Sequence, residues 1–412
     1  MRNIYAAFLV TVTFCVVLLA SCHSGFVPLK EGLWRGTFQL PENEIPFIFE
    51  VRGESADSTS VFLINGEDRF KTNKIYYSND SVSIPIDLYD VVLKGKLSKN
   101  TFEGDFIKTA VNRKITKVPF KAEHGNLPRF PANNESPSVS LDGTWDINIT
   151  ASGNTEKTVG NFTQKGSVLT GSILEETGDY RFFEGVIPRK SFSLSAFGGS
   201  TPYLVKGEFL NDSTFSGEFV TLRQTSKIDG KRNPKASLPD PYGASHLKEG
   251  FSKIEFTFPN LQGKQVSLSD PNYKGKVVIV TILGSWCPNC LDEHTFLSSW
   301  YKSNHQRGIE IIGLGFERKD DFESARKSLA NLKTRLGIEY EILFAGKSST
   351  ELASKALPAL NGIAAFPTTL FIDRKGNVRK VHTGFSGPAT GKFYDEFKQE
   401  FNGLIDQLVS EK

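Results

Sequence analysis

Thr281 to His294 reads TILGSWCPNCLDEH. Two cysteines, Cys287 and Cys290, stand three positions apart and follow the apolar run VVIVTIL, Val277 to Leu283. A near-continuous apolar run suits a parallel strand buried on both faces. Beyond the cysteines, Leu297, Trp300 and Tyr301 recur at i, i+3 and i+4, so a helix starts at the pair and runs to about Ser303. The pair therefore lies between a buried strand and a helix N-terminus. There the helix dipole and free N–H groups stabilise a thiolate, most of all on the first cysteine. The second, one turn on, is close enough to resolve a mixed disulfide. Pro288 has no N–H to lose in a first helical turn. Trp286 offers a flat apolar surface beside the sulfurs, or else simply packs.

Other uses of the pair fit less well. A structural Zn²⁺ takes four ligands, typically as two pairs. One pair is present, and neither Glu293 nor His294 completes a set, so no metal is assigned. A copper chaperone that adds a distant His382 stays open. As a staple, so short a loop contributes only about 2 kcal/mol. His294 and His382 read as structural or surface residues.

The rest of the C-terminal third alternates strands and helices. Ile309–Phe316 is a second buried strand, Asp320–Gly337 a helix, Thr368–Asp373 with Val378–Thr383 a hairpin, and Lys392–Val409 an amphipathic helix. This is an α/β arrangement of layers. Before residue 240 the texture is β-rich: Ile45–Val51, Ser60–Ile64 and Ser81–Ile86 are short strands between Gly, Asn and Asp turns. The region contains itself twice. Gly32–Trp34 returns at Gly143–Trp145, Asp68–Phe70 at Tyr180–Phe182, and Lys94–Phe106 at Lys206–Phe219, at a spacing of 111 to 113 residues. Two β-rich repeats, each a small sandwich or half-barrel, are expected at 32–124 and 140–224, with Trp34, Trp145, Phe102 and Phe215 in their cores. The linkers, 125–139 and 225–250, carry Pro and turn formers and are expected to be extended and poor in packing. The α/β domain takes 251–412.

The formal net charge is +3 over 412 residues, with 23% charged and 39% apolar. That near-balance, with no basic run, gives no footing for nucleic acid. The chain opens MRNIYAAFLVTVTFCVVLLASC. A basic residue followed by a short apolar stretch is an export signal over 1–21. Its end, Leu19-Ala20-Ser21-Cys22, resembles a bacterial lipobox, which makes Cys22 a lipidation site; an ordinary signal peptide or an uncleaved anchor are the alternatives. With Cys15 in the leader and Cys22 under lipid, two of the four cysteines remain as thiols, so a framework of structural disulfides is excluded.

VVIVTILGSWCPNC, followed by AAFPTTLFIDRKGNV at Ala364–Val378, resembles the thioredoxin superfamily, and within it the exported TlpA/ResA-type (redoxin) thiol–disulfide oxidoreductases. The resemblance spans roughly 252 to 410 and leaves out the β repeats, whose pairing with such a domain resembles exported lipoproteins. It implies a thioredoxin-like fold for the last domain. It also implies a redox-active disulfide between Cys287 and Cys290 with no other cofactor, Cys287 attacking and Cys290 resolving. Pro367 matches the cis proline facing the disulfide, which frees the backbone of Phe366 to pair with an extended substrate. The implied partners are protein disulfides, for example in cytochrome c maturation, and a membrane thiol electron donor. The implied place is the cell envelope, lipid-anchored and facing the periplasm. Thioredoxins keep a buried Asp six residues before the first cysteine; here that position is Thr281. Glu317, at the end of the second strand, is the candidate substitute. A redoxin-type peroxidase is a rival, but the Pro and Thr of the peroxidatic pattern are here Val280 and Gly284. A redox-regulated binding or adaptor protein is another.

Overall fold

The computed structural model describes residues 28–411 apart from 54, 56–57, 79–80, 111–113 and 132–134. The leader and Cys22 fall outside the described residues.

The duplication seen in the sequence is a duplication of architecture. Each β unit is a nine-stranded antiparallel sheet in which first and last long strands pair: Gly32–Gln39 with Ile115–His124, and Gly143–Ala151 with Thr225–Arg232. The first sheet is a half-barrel whose edges are Asp68–Lys71 and Tyr76–Ser78. In the second, Asn154–Lys165 pairs with Val168–Glu175 and that strand with Phe183–Val186, which closes the sheet into a barrel. Strands with alternating burial, such as Ser81–Ile86, put one face into each core. Trp34 and Trp145 hold matching places. Both are fully buried, and each indole N–H donates to the carbonyl four residues back, Lys30 at 2.9 Å and Leu141 at 2.8 Å. Phe102 and Phe215 are buried as expected.

Two expectations are corrected. The second unit does not end at 224: Thr225–Arg232 is a central strand, paired on both sides. Of its inward residues, Ser226, Ile228 and Gly230, the last must be glycine because the Phe215 ring lies over it, where a Cβ would meet the ring at 2.0 Å. Nor are the linkers poor in packing. Arg129, from the first, is buried and donates to the carbonyl of Ile64 at 2.6 Å and to Ser195 Oγ at 3.2 Å, joining the two β units. Ala236 and Leu238, from the second, pack with Val159, Leu174 and Phe393. An unpaired buried guanidinium is costly, so Arg129 must find these acceptors.

The last domain is a five-stranded mixed sheet. Its strands are β1 (Val277–Leu283), β2 (Ile309–Glu317), β3 (Glu341–Lys347), β4 (Thr368–Ile372) and β5 (Val378–Thr383), in the order β3-β2-β1-β4-β5. β1, β2 and β3 are parallel; β4 runs against them, and β5 turns back against β4, in the direction of β1. Every residue of β1 is buried. Ile279 and Leu283 face one hydrophobic layer and Val278, Val280 and Ile282 the other. The first layer is covered by α1 (Pro288–Asn304), α2 (Phe322–Leu336) and α4 (Lys392–Ser410), the second by α3 (Thr350–Ala356) and residues from Ile254 to Tyr273. Strand β3 has no counterpart among the strands expected from the sequence. It is a short edge strand whose apolar run ends at Gly346 and Lys347.

Candidate active site

Buried β1 delivers the chain to Gly284, and α1 begins at Pro288, so Cys287 is the helix N-cap. Its backbone is extended, and its sulfur accepts the Cys290 N–H at 3.3 Å. The sulfur so takes up one of the donors that a helix start leaves free. Cys287 is 6% exposed and Cys290 fully buried, both as free thiols. Burial, then the hydrogen bond and charge of Cys287, push the Cys290 thiol well up. The two sulfurs are thus unlike: one near the surface at a helix start, one sealed beneath it.

The Phe366–Pro367 bond is cis, and the Cys287 thiol donates to the Phe366 carbonyl at 3.5 Å. The Trp286 indole donates to the Phe316 carbonyl at 2.9 Å and meets the Phe366 ring edge-on at 5.6 Å. Trp286, Pro288, Phe366 and Pro367 therefore come together around Cys287.

Glu317 is buried rather than solvated. Its two oxygens accept the Ser285 N–H at 2.8 Å and hydroxyl at 2.7 Å, so it anchors the turn two residues ahead of Cys287. Burial raises its carboxyl to about 7. A second buried carboxyl, considered above only as a metal ligand, lies at the same site. Glu293, on α1 one turn after Cys290, accepts the hydroxyls of Thr281 (β1) and Thr369 (β4), both at 2.7 Å. Burial lifts it to about 7 against the two hydroxyl bonds. Thr281 at the expected acid position is thus the holder of a carboxyl supplied from the facing helix. The available signal was an acidic residue three after Cys290 in the helix stripe that continues to Leu297.

His294 is buried, bonded through Nδ1 to Tyr340 at 2.7 Å, and burial lowers it to about 3. His382 lies against the Gly384 carbonyl and is lowered to about 4, by burial first. Both are neutral packing groups at pH 7. Among the described residues no group of three or more His, Cys, Asp or Glu is gathered to hold a metal.

Comparison with known families matches residues 248–395 to Redoxin. The C-terminal part of this chain is a redoxin domain. The chain is 26% identical over 142 residues to thiol-disulfide oxidoreductase ResA of Bacillus subtilis (strain 168), covering 34% of this chain and 71% of that protein. It is 28% identical over 163 residues to the protein of the same name from Bacillus anthracis, covering 40% and 80%. Among solved structures, a thiol:disulfide interchange protein, thioredoxin family protein, from Chlorobium tepidum TLS covers 40% of this chain and 100% of its own at 22% identity and a TM-score of 0.30.

The redoxin match leaves both β units outside it, yet both touch the redoxin domain. Asn161 donates to the Thr390 carbonyl at 2.9 Å, and the Gly387 N–H donates to Asp179 at 2.8 Å. Arg318 pairs with Asp90, and Arg335 donates to the Lys71 carbonyl.

Proposed function

We propose that this chain is an exported, membrane-tethered thiol–disulfide oxidoreductase whose redoxin domain reduces disulfides of exported proteins. The observation that carries the reading is the asymmetry of the pair: Cys287 caps the helix within reach of an incoming disulfide, and Cys290 is fully buried behind it. The Cys287 thiolate attacks one sulfur of the substrate disulfide and the other substrate sulfur leaves as a thiolate. Cys290 gives up its proton, attacks Cys287, and releases the second substrate thiolate; the substrate gains two electrons and the chain is left as the Cys287–Cys290 disulfide. Glu293 is the base for the Cys290 proton, and Glu317 holds the approach to Cys287. The Phe366 backbone next to Pro367 aligns an extended substrate segment as an added strand. A membrane dithiol donor returns two electrons and two protons to reset the pair. Apocytochrome c, which needs reduced cysteines before haem attachment, is a fitting substrate.

The test is a single turnover without any donor. Reduced full-length protein is mixed with one equivalent of an unfolded protein carrying one disulfide. One disulfide opened per chain, with Cys287 and Cys290 found joined by mass mapping, is the expected result. An unchanged substrate, with both thiols still free, contradicts it.

The anchor belongs to the same proposal. Lipid on Cys22 together with the export signal holds the protein at the envelope, since each buried CH₂ contributes about 0.8 kcal/mol. Cys22→Ser is expected to abolish incorporation of labelled palmitate and move the protein from the membrane to the soluble fraction. Undiminished labelling would exclude Cys22 as the site.

A further inference from the structure

The Glu175–Arg181 turn of the closed barrel lies across the start of α1. Gly178 sits so close to Asn289, inside the cysteine motif, that a Cβ there would fall 1.8 Å from the Asn289 side-chain nitrogen. Arg181 pairs with Asp292 on α1 at 3.1 Å and with Asp68 of the first β unit at 3.5 Å. All three parts of the chain thus meet at one guanidinium, next to the dithiol.

Between this turn and the motif lies a cavity of about 180 Å³. Tyr180, Tyr203 and Ala196 form its apolar wall, and Pro288 and Asn289 its opposite side. Small-molecule sites run to roughly 300–1,000 Å³; this one has room for a single side chain. The Tyr180 and Tyr203 rings meet edge-to-face at 5.2 Å, a surface suited to another ring or an aliphatic chain. Polar atoms at the cleft are unspent. Arg181 Nε and Nη1 and Asn289 Oδ1 are buried without a hydrogen-bond partner among the described residues. Such atoms are few in native folds, and each calls for an explanation. A peptide group carries one donor for Asn289 and one acceptor for Arg181. The charge balance is already on the acidic side, since Asp292, Asp68 and Asp179 surround Arg181 and Glu175 also lines the cleft. A further carboxylate is disfavoured there.

We propose that this cleft is a substrate subsite, built by the second β unit, for the residue beside the substrate's reactive cysteine: its peptide group lies against Asn289 and Arg181 and its apolar or aromatic side chain against Tyr180 and Tyr203. The proposal rests on the oxidoreductase reading above. It makes the β repeats part of the enzyme's specificity and selects extended, flexible segments, because a packed protein surface cannot enter so small a space.

The test uses the reduced full chain and two unstructured peptides, each with one internal disulfide, that differ only in carrying Phe or Asp next to the cysteines. Wild type is expected to favour the Phe peptide by about tenfold in the second-order rate constant of the single turnover. Thr201→Phe, which fills the cleft from its wall, is expected to bring that ratio within about twofold. If that variant does not fold, Tyr203→Ala, which removes one ring, is expected to cut the ratio at least about threefold. Equal reduction of the two peptides by wild type, or a preference that survives both substitutions, overturns the subsite alone. Reduction of neither peptide overturns the subsite and the oxidoreductase reading together.

Discussion

With Cys287 replaced by Ser, disulfide reduction by the full-length protein is expected to fall to the uncatalysed background, and with Cys290 replaced by Ser the chain is expected to stall as a mixed disulfide. The two outcomes differ because the sulfurs have different surroundings. Cys287 caps α1, receives the Cys290 N–H and is the more exposed of the two sulfurs. Serine at that place still caps the helix, so folding is spared while the nucleophile is lost. Cys290 is fully buried and its thiol is pushed well up, first by burial, so it cannot serve as a substitute nucleophile for a substrate. Its role begins only after Cys287 has been captured. Cys290→Ser should therefore carry one substrate molecule per chain on Cys287, released by dithiothreitol and visible by mass. Substantial turnover by Cys287→Ser would contradict this assignment. An adaptor protein would keep its partner in both variants, which separates that reading from an enzyme.

Glu293→Gln should change both rate and stability, in opposite senses. Glu293 is held near pH 7 by burial, so it is a base above that pH and an acid below it. Wild-type resolution of the mixed disulfide should accelerate as pH rises through about 7, and Glu293→Gln should remove that rise and slow the step by about 10²-fold, the low end of general-base effects. Stability follows from the same shift. The folded state holds the proton more tightly than the unfolded chain, whose carboxyl titrates at the ordinary value of 4.5. Stabilisation from this group is therefore complete below about 4.5 and is lost as pH climbs to about 7, at about 1.4 kcal/mol per pH unit. Gln keeps the hydrogen bonds to Thr281 and Thr369, by rotation of one hydroxyl, and never ionises. The variant should melt higher than wild type at pH 8 and show little gain at pH 4.5. Equal melting differences at the two pH values would mean that Glu293 is not the titrating group. An unchanged rate profile would free it of the proton-transfer role.

The sequence carried the site's outline further than its details. A strand whose one polar position is Thr281, a cysteine pair, Pro288 and a helical stripe reach the eye without any neighbour in space. So Val277–Leu283 and the helix after it are legible in the residues, whereas Pro367 stands out only through the family resemblance. Glu293 does not stand out, because a carboxyl on a helix looks solvated until β1 and β4 are folded beneath it with Thr281 and Thr369. The strand Thr225–Arg232 falls in the span expected as linker because the Pro and turn formers that follow it dominate the local composition; the ring that fills the space over Gly230 comes from Phe215 on a neighbouring strand. Arg129 has the same lesson. In the sequence it belongs to a Pro-rich connector, and only the fold supplies the carbonyls that it bridges.

The central claim is that Cys287 and Cys290 cycle as a reducing dithiol. Equilibrating the full-length protein in redox buffers, alkylating the remaining thiols and reading the reduced fraction gives the reduction potential of the couple. The expected value is near that of thioredoxin, about −270 mV, with thiols that exchange readily with a peptide disulfide. A potential below about −300 mV with thiols inert to exchange would make the pair structural, and one near about −120 mV would make the protein an oxidant; either contradicts the account.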